Sequence, residues 1–347
     1  MRVLVGMSGG VDSSVAAALL VEAGHDVVGA TMKLWGGPSD SGCCSVGDTD
    51  DAARVAAQLG VAHHVFNFTD AFLRHVVDPY VEAHATGRTP NPCVACNEHL
   101  KFDLFLARAR QLGFDAVATG HYARVERAAD GWVLRRGVDP AKDQSYVLHA
   151  LGQEQLARTL LPLGGLTKPE VRARAAALGL RTAAKPDSQD VCFISRAGGR
   201  EAFLGSRIPL RPGRLTDRAG TDLGPVDAVE LVTVGQRRGL GNLAAPATRS
   251  QRRYALDVDV VAAVVTVGTL DELLVGTVTV DGLRWCGDAP EEGRRVQAQL
   301  SAHGAPVDAE LAAGGVLHLA APVRRVAPGQ RVVVYDGDVV LGGGTAA

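Results

Sequence analysis

The stretch Val3-Leu4-Val5-Gly6-Met7-Ser8-Gly9-Gly10-Val11-Asp12-Ser13-Ser14 decides the fold of this chain. It opens with a short Val-rich apolar run, which is typical of a buried parallel strand. The run ends at Ser8-Gly9-Gly10, and an apolar helical pattern follows. Glycines in such a turn let the backbone bend tightly and approach an anion closely. A strand, a glycine turn and a helix N-terminus together predict a phosphate-binding site.

The polar residues of this turn narrow the type of loop. Asp12, Ser13 and Ser14 fall in the predicted first helical turn, where unpaired N–H groups and the helix dipole attract phosphate. The Walker loop needs G-x-x-x-x-G-K-[ST], the dinucleotide fingerprint needs G-x-G-x-x-G, and neither is present. The run Ser8–Ser14 instead resembles the pyrophosphatase loop (PP-loop) of ATP-adenylating enzymes. A plain glycine-rich turn is the simpler interpretation, but all seven positions of the run fit the PP-loop.

Length and composition indicate an ordered globular protein. The chain has 347 residues and 46% apolar content, enough for two or three domains. No apolar run is long enough to cross a bilayer, and the first strand leaves no room for a signal peptide. We therefore expect a cytoplasmic protein that binds no membrane. In a reducing compartment, six cysteines suggest chemistry or metal binding before structural disulfides.

Positive charge concentrates in one part of the chain, although the net charge is only −2. Residues 196–253 hold eleven Arg and no Lys against five carboxylates. Such a local excess of positive charge can bind the phosphate backbone of a nucleic acid. A solvated Arg-rich face is the simpler alternative.

Strand and helix patterns alternate over the first half of the chain. We predict strands at 26–32, 61–68 and 115–119, and helices at 48–59 (capped by Asp48), 71–86, 98–112, 143–151 and 168–178. This order predicts an α/β fold with a doubly wound parallel sheet, of the type described as adenine nucleotide alpha hydrolase-like. Nucleotide then binds at the carboxyl ends of the strands, where Gly9-Gly10, Met32 and Gly120 fall. A hairpin is expected at 124–136.

The composition changes near residue 195, where Gly, Pro and Arg become more frequent. We predict an ATP-pyrophosphatase domain at 1–196, a small β-rich, Arg-rich central domain at 197–262 with strands at 228–234 and 254–260, and a third domain at 263–347. Short Val-rich runs separated by turns predict a C-terminal antiparallel β-barrel in the third domain. Its strands are expected at 261–267, 275–280, 296–300, 316–319, 332–335 and 339–341.

Three cysteines lie in turn-rich segments. Cys93 and Cys96 belong to Gly87-Arg88-Thr89-Pro90-Asn91-Pro92-Cys93-Val94-Ala95-Cys96-Asn97, and Cys192 belongs to Lys185-Pro186-Asp187-Ser188-Gln189-Asp190-Val191-Cys192-Phe193-Ile194. The prolines predict that a helix begins close to Cys96, where a helix N-terminus lowers a thiol pKa. A zinc site would need a fourth ligand. A thioredoxin-type redox pair is disfavoured by the flanking prolines. Burial as a structural thiol is the default interpretation of any single Cys. The remaining interpretation, two reactive thiols that work together with ATP, makes chemical sense. Cys43-Cys44 are interpreted as structural or of unknown role, and Cys286 as a packing residue of the barrel.

Taken together and in order, these motifs resemble the bacterial tRNA-specific 2-thiouridylase family over nearly the whole chain. The motifs that carry the resemblance are 6–14, 43–45, 87–97 with Lys101-Phe102, 118–122, 142–146, 192–194, 235–241 and 328–330.

The resemblance implies a sulfurtransferase that adenylates the C2 oxygen of a wobble uridine (U34) with ATP and Mg²⁺, giving AMP and pyrophosphate. It implies that Cys192 carries the sulfur as a persulfide, that Cys96 is the nucleophile able to form a disulfide with Cys192, and that Asp12 takes part in catalysis. The implied ATP contacts are Gly6, Met7, Ser8, Gly9, Gly10, Val11, Asp12, Ser13, Met32 and Gly120. The implied tRNA contacts are Asn91, Pro92, Cys93, His121, Lys142, Asp143, Gln144 and Gln330. Implied partners are tRNAs such as those for Lys, Glu and Gln, and a sulfur donor, either a cysteine desulfurase or a relay protein.

One position departs from the family pattern, which commonly has Asp where this chain has Cys93. Cys93, Cys96 and Cys192 could therefore ligate a [4Fe-4S] cluster with one open iron, a second hypothesis for the thiols. For the function as a whole, the alternative is another PP-loop ATP-dependent synthetase or amidotransferase that acts on a small molecule.

Overall fold

The computed structural model describes residues 1–35, 46–187, 191–194, 198–240 and 252–347. Within these ranges, no helix is both long enough and apolar enough to span a membrane. The predicted Cys43-Cys44 motif lies outside the described residues.

The N-terminal half contains the predicted parallel sheet. Its strands and those of the following hairpin are β1 (Arg2–Gly6), β2 (Asp26–Lys33), β3 (His63–Asn67), β4 (Ala116–Ala118), β5 (Ala123–Ala128), β6 (Gly131–Arg136) and β7 (Thr159–Leu160). The sheet has the order β3-β2-β1-β4-β7, and all neighbours are parallel. Strand β1 is central, and Val3, Leu4 and Val5 are fully buried between two apolar clusters. The α/β prediction is confirmed.

Helices pack on both faces of this sheet. They are α1 (Val11–Glu22), α2 (Val46–Gln58), α3 (Thr69–Phe72), α4 (Asp78–Ala85), α5 (Pro92–Ala95), α6 (Phe105–Gln111), α7 (Gln153–Leu156) and α8 (Lys168–Ala177). Two π-helical segments, Leu73–Val77 and Cys96–Leu104, connect α3 to α4 and α5 to α6. A continuous helical run therefore extends from Pro92 to Gln111.

Three predicted helices differ from the structure. Helix α2 begins at Val46, so Asp48 lies in its first turn instead of capping it. Pro92 is the first residue of its helix, a position that proline suits because it needs no N–H partner. Cys96 is therefore in the second turn, where the helix dipole is weaker. Only a short 3₁₀ helix, Ser145–Leu148, forms within 143–151.

The hairpin β5–β6 leaves the parallel sheet and joins the C-terminal one. Strand β6 pairs with the last strand of the chain at Val339 and Arg135. Asp338 reinforces this junction, because its carboxylate accepts hydrogen bonds from Arg124 and Arg135. The sequence predicted the hairpin but not the sheet that it extends.

The central region holds a mixed four-stranded sheet. The strands of this sheet are β8 (Gly213–Thr216), β9 (Asp222–Val226), β10 (Tyr254–Asp259) and β11 (Val264–Gly268), in the order β10-β11-β8-β9. Helix α9 (Gly199–Gly205) precedes them in the chain. The predicted strand at 228–234 is instead a 3₁₀ helix, Val229–Leu231. Strand β11 pairs within this sheet, although the predicted boundary at 262/263 assigned it to the third domain.

The C-terminal region is the predicted antiparallel barrel. Helix α10 (Leu270–Leu273) precedes the strands β12 (Leu274–Trp285), β13 (Arg295–Gln299), β14 (Val307–Ala312), β15 (Val316–Arg324), β16 (Arg331–Asp336) and β17 (Val339–Ala346). They pair in the order β12-β15-β14-β13-β16-β17, and β12 also pairs with β17, which closes the barrel. Strand β14 was not predicted, because alternating acidic residues interrupt its apolar pattern.

Candidate active site

A cavity of about 350 Å³ opens at the carboxyl ends of β1, β2 and β4. Three kinds of residue line it: the glycine-rich loop, the residues that follow β2 and β4, and polar side chains from later in the chain. Its lining consists of Gly6, Met7, Ser8, Gly10, Val11, Asp12, Ser13, Thr31, Met32, Leu34, Asp48, Lys101, Thr119, Gly120, His121, Tyr122, Lys142, Gln144, Lys168, Lys185, Pro186 and Asp187. All but one of the predicted ATP contacts are in this set; Gly9 is the exception.

The glycines of the loop have geometric roles. Gly9 has φ +71°, and a Cβ there would lie 2.1 Å from the backbone oxygen of Asp48. A Cβ on Gly120 would lie 2.7 Å from the backbone atoms Asp12 C and Ser13 N. Glycine at both positions lets the loop, α2 and the end of β4 approach one another. The Ser8 N–H donates to Ser13 Oγ at 3.1 Å, which holds the loop over the N-terminus of α1.

Lysine is rare in this chain, yet it is the main cation of the cavity. The chain has 36 basic residues, of which only five are lysines. Four of the five, Lys101, Lys142, Lys168 and Lys185, line the cavity, whereas no arginine among the described residues does. Lysine carries a compact charge with three rotatable donors and is a frequent phosphate ligand. The choice of lysine here, against the bias of the whole chain, indicates selection for an anionic ligand.

Lys168 is the most buried of these cations. Its Nζ lies 2.7 Å from Asp12 Oδ1 and 2.8 Å from Asp187 Oδ1, and its side chain is 8% exposed. It is the first residue of α8, an end at which the helix dipole disfavours a cation. The two carboxylates offset that cost, and Asp12 also accepts a hydrogen bond from Tyr122 OH at 2.7 Å.

The segment 185–187 is bound to the loop at two points. Lys185 Nζ donates to Gly9 O at 2.9 Å and pairs with Asp48 and Asp51. Asp187 pairs with Lys142, Lys168 and Arg172 at 2.7 to 2.8 Å. Burial alone would raise the pKa of Asp187, but the hydrogen bonds from Lys142 and Lys168 outweigh it and lower the pKa to about 2. These ion pairs hold the segment that precedes Cys192 against the phosphate loop.

His121 and Tyr122 form another wall of the cavity. His121 is buried, and its Nδ1 lies 2.7 Å from Thr119 Oγ1. Burial, together with the charge of Lys101, lowers the pKa of His121 well below its usual value. Burial and the hydrogen bond to Asp12 raise the pKa of Tyr122. Both side chains are therefore neutral near pH 7.

Cys96 and Cys192 lie in one apolar cluster. Cys96 is 8% exposed and belongs to the buried core of that cluster, and the half-buried Cys192 packs against it. Leu34 and Met32 belong to the same cluster and also line the cavity. The two thiols are thus separated from the nucleotide cavity by side chains that both regions share. Cys93 is exposed in the first helical turn, where its N–H donates to Asn91 Oδ1 at 3.0 Å.

The cluster hypothesis does not fit this arrangement. No group of three His, Cys, Asp or Glu side chains in the described ranges is placed to hold a metal ion. Cys93 faces solvent, whereas Cys96 points into the apolar core. The three thiols therefore do not form a ligand set, and we assign no step to an iron–sulfur cluster.

The predicted tRNA contacts fall into separate groups. His121, Lys142 and Gln144 line the nucleotide cavity. Asn91 and Pro92 line a second, larger groove, whose other walls come from α4, the segment before α5 and the barrel. Gln330 is at the edge of the barrel, and its Nε2 donates to Thr89 O at 2.7 Å.

Asp143 lies outside both sites. Its side chain is 9% exposed, pairs with Arg136 at 2.8 Å and accepts from the N–H of Gly137. Its described contacts are those of a residue that orders the turn after β6.

Sequence reasoning missed Lys101, Lys168, Lys185, Asp187 and Tyr122 as site residues. Their partners are distant in sequence; Lys168 and Asp12 are 156 positions apart. The signal that could have found the lysines is their scarcity in an Arg-rich chain.

This fold and site define a class: a PP-loop nucleotide-binding α/β domain joined to a C-terminal β-barrel. A family model described as "tRNA methyl transferase HUP domain" matches residues 1–196, and one described as "Aminomethyltransferase beta-barrel domain" matches 275–346. The tRNA-specific 2-thiouridylase MnmA of Mycolicibacterium smegmatis is 49% identical, over 99% of this chain and 99% of that protein. The protein of the same name from Corynebacterium kroppenstedtii is 48% identical, over 99% of this chain and 94% of that protein.

Solved structures are more distant. A U34-tRNA thiolase NcsA from Methanococcus maripaludis with its [4Fe-4S] cluster is 17% identical, with a TM-score of 0.37 over 59% of this chain and 62% of that one. The full-length identity to curated relatives decides the assignment: the chain belongs to the tRNA-specific 2-thiouridylase (MnmA) family.

Proposed function

We propose that this protein converts the C2 carbonyl of a wobble uridine in tRNA to a thiocarbonyl, using ATP to activate the oxygen and a cysteine persulfide to supply sulfur. The observation that carries the proposal is the shared wall of the two sites. Met32 and Leu34 line the cavity beside the PP-loop and also pack in the cluster that holds Cys96 and Cys192. A reaction that activates an oxygen and then replaces it with sulfur needs these two sites side by side.

ATP binding is the first task of the cavity. The N-terminus of α1 and the hydroxyls of Ser8 and Ser13 suit the pyrophosphate end of ATP. Lys168 and Lys185 supply positive charge beside the same loop. Met32 is at the end of β2, where it suits contact with the adenine ring. Asp48 and Asp187 hold the lysines in place before the nucleotide arrives.

The residues also fit a magnesium ion that arrives with ATP. Mg²⁺ bound to a nucleotide needs only one or two protein carboxylates, because phosphate oxygens and water supply the rest. Asp12 lines the cavity with 33% of its side chain exposed and is the residue that would hold the ion. The bound ion would neutralise charge on the phosphates.

At phosphorus, adenylation forms one bond and breaks one. The uridine O2 attacks the α-phosphorus of ATP, the bond to the bridging oxygen breaks, and pyrophosphate leaves with the electron pair. The uridine N3 proton passes to water in this step, and a C2–N3 double bond replaces the C2 carbonyl. The loop and its lysines stabilise the charge that develops on the departing pyrophosphate.

Sulfur transfer follows in two displacements. The terminal sulfur of the Cys192 persulfide attacks C2, and AMP leaves with the former O2. The Cys96 thiolate then attacks the Cys192 sulfur, so that the S–S bond breaks and its electron pair forms the C2 thiocarbonyl, with N3 regaining a proton. A Cys96–Cys192 disulfide remains, and a thiol reductant regenerates both residues. The apolar surroundings of both cysteines exclude water from these steps.

Recognition of tRNA involves surfaces outside the cavity. The target uridine must leave its stack to reach C2, so a flipped base is required. We propose that this base meets Asn91, Pro92 and Cys93, and that the tRNA contacts His121, Lys142, Gln144 and Gln330. Asp143, predicted as a further tRNA contact, is proposed to act indirectly by ordering the turn that precedes Gln144. The Arg-rich central domain, predicted at 197–262 and extended by β11 to Gly268, is proposed to bind the tRNA backbone. The substrates would be tRNAs such as those for Lys, Glu and Gln, and the sulfur donor a cysteine desulfurase or a relay protein.

A reconstituted reaction tests the proposal. Purified protein, MgATP, a persulfide donor and an unmodified tRNA with a wobble uridine are incubated, and the digested nucleosides are analysed by mass spectrometry. We expect 2-thiouridine, and no product from a tRNA with cytidine at the wobble position. Pyrophosphate release with a small molecule but without tRNA would favour the synthetase or amidotransferase alternative.

A further inference from the structure

Lys101 differs from the other lysines of the cavity. Lys142, Lys168 and Lys185 each pair with at least one carboxylate. Across the described ranges, no carboxylate lies within ion-pair distance of the Lys101 ammonium. Among the described residues, Lys101 is therefore the cavity lysine without a carboxylate partner, and its half-buried ammonium is available to an anionic ligand.

The position of Lys101 separates it from the pyrophosphate end of the site. Lys168 and Lys185 contact Asp12 and the Gly9 carbonyl, both of which belong to the loop. Lys101 instead projects from the helical run that begins at Pro92 and carries Cys96, five residues earlier. The run therefore borders both regions: Lys101 lines the cavity, and Cys96 and Leu100 pack in the cluster that also contains Cys192.

His121, a neighbour of Lys101, does not carry positive charge near pH 7. His121 also lines the cavity, and burial, together with the Lys101 charge, lowers the pKa of its imidazole well below the usual value. His121 is therefore neutral near pH 7. Of these two neighbouring side chains, Lys101 is the one that carries positive charge.

We propose that Lys101 binds the α-phosphate, first of ATP and then of the adenylated uridine, and so is a further catalytic residue of the reaction proposed above. The α-phosphate is the group that passes from pyrophosphate to the uridine oxygen, and it must lie between the loop and the thiols. One ammonium there stabilises the AMP leaving group when the persulfide attacks C2. This inference rests on the proposed function, but its test does not require thiolation.

The test compares AMP with adenosine, which differ only in the α-phosphate. Binding of each to the full-length protein is measured by calorimetry for wild type, Lys101→Met and Lys101→Arg. The control is Lys33→Met, which removes the one lysine outside the cavity lining, an exposed residue at the end of β2. A charge-assisted hydrogen bond corresponds to a roughly 10- to 100-fold change in affinity.

We expect Lys101→Met to weaken AMP binding by that factor while adenosine binding stays unchanged. Lys101→Arg should recover part of the loss, and Lys33→Met should bind both ligands as wild type does. Equal binding of AMP by wild type and Lys101→Met would overturn the assignment, as would an equal loss for AMP and adenosine. If the phosphate preference depends on Lys101 but no 2-thiouridine forms in the reconstituted reaction, the phosphate site stands and the proposed function fails.

Discussion

The Lys168 ammonium lies 2.7 Å from one carboxylate oxygen of Asp12 and 2.9 Å from the other. This pair joins the phosphate loop to the first residue of α8, 156 positions later in the chain. Because Lys168 also contacts Asp187, it links the loop to the segment that leads to Cys192. The proposed ATP site and the segment that leads to the proposed sulfur carrier are therefore joined by ion pairs, in addition to the apolar wall that the cavity shares with the cysteine cluster.

Replacement of Asp12 should impair catalysis while the protein still folds. In Asp12→Asn, Lys168 keeps Asp187 as a partner, so we expect the fold to persist. Loss of the carboxylate should lower tRNA-dependent pyrophosphate release by roughly 100-fold or more, the scale seen when a positioned charged or polar group is removed from an active site. Asp50→Asn, an exposed residue of α2 outside the cavity lining, is the matched control. Near-wild-type release by Asp12→Asn would show that the Asp12 charge is not needed.

A substitution at Gly120 tests whether ATP binding depends on the close approach of the end of β4 to the glycine-rich loop. A methyl group there would meet the backbone of Asp12 and Ser13 at 2.7 Å, so the loop must shift in Gly120→Ala. We expect ATP affinity to fall at least about 10-fold, together with a loss of stability of about 1–3 kcal/mol from overpacking. Gly165→Ala, where nothing lies within 4 Å, should bind ATP normally. Calorimetric titration with ATP distinguishes the two, and equal affinities would contradict the packing argument.

Substitution of Cys192 should separate adenylation from sulfur transfer. Cys192→Ser is expected to abolish 2-thiouridine formation from a persulfide donor while pyrophosphate release continues, because Cys192 is outside the cavity lining. Cys286→Ser is the control: burial raises the pKa of that thiol to about 12, and it packs beside the barrel, far in sequence from the loop. Full thiolation by Cys192→Ser would disprove the persulfide assignment.

Asp187 should contribute to stability in a defined pH range. Its pKa in the folded protein is about 2, below the usual value of 3.8, so the folded state binds its proton less readily than the unfolded state does. The contribution is present above about pH 4 and is lost as the pH falls towards 2. Near pH 3, unfolding of Asp187→Asn should therefore take up about one proton fewer than that of wild type.

Denaturant unfolding at several pH values measures this difference. The control is Asp26→Asn, which changes a surface carboxylate that is 65% exposed in its pair with Arg2. An unchanged pH slope in Asp187→Asn would mean that the three cations do not stabilise the ionised carboxylate.

The Arg-rich central region should make tRNA binding dependent on salt. Each phosphate contact that is lost lowers the slope of log affinity against log salt by about one. Arg237→Gln and Arg238→Gln remove exposed charges of this region and should each have that effect. Arg295→Gln, exposed on the barrel, should leave the slope unchanged. Slopes equal to wild type in both central variants would exclude these residues as backbone contacts.

The sequence predicted the parts of the structure that depend on local pattern. Val3–Val5 and the glycine turn fixed the central strand and the loop, because apolar runs and glycine act within a few residues. It did not predict the pairing of β6 with β17, since one hairpin pattern suits many sheets. Nor did it predict that Lys168 and Asp187 enter the site, because only the tertiary fold brings residues so far apart together. The charge at the start of α8 was a usable sign, since a lysine there opposes the helix dipole.

The central claim is that ATP activates the uridine O2 so that sulfur can replace it. The most direct measurement uses a tRNA whose wobble uridine carries ¹⁸O at C2, followed by mass spectrometry of the released nucleotide. We predict that each 2-thiouridine formed is matched by one AMP that contains ¹⁸O. Unlabelled AMP, or label found in pyrophosphate or retained in the nucleoside, would contradict adenylation at O2.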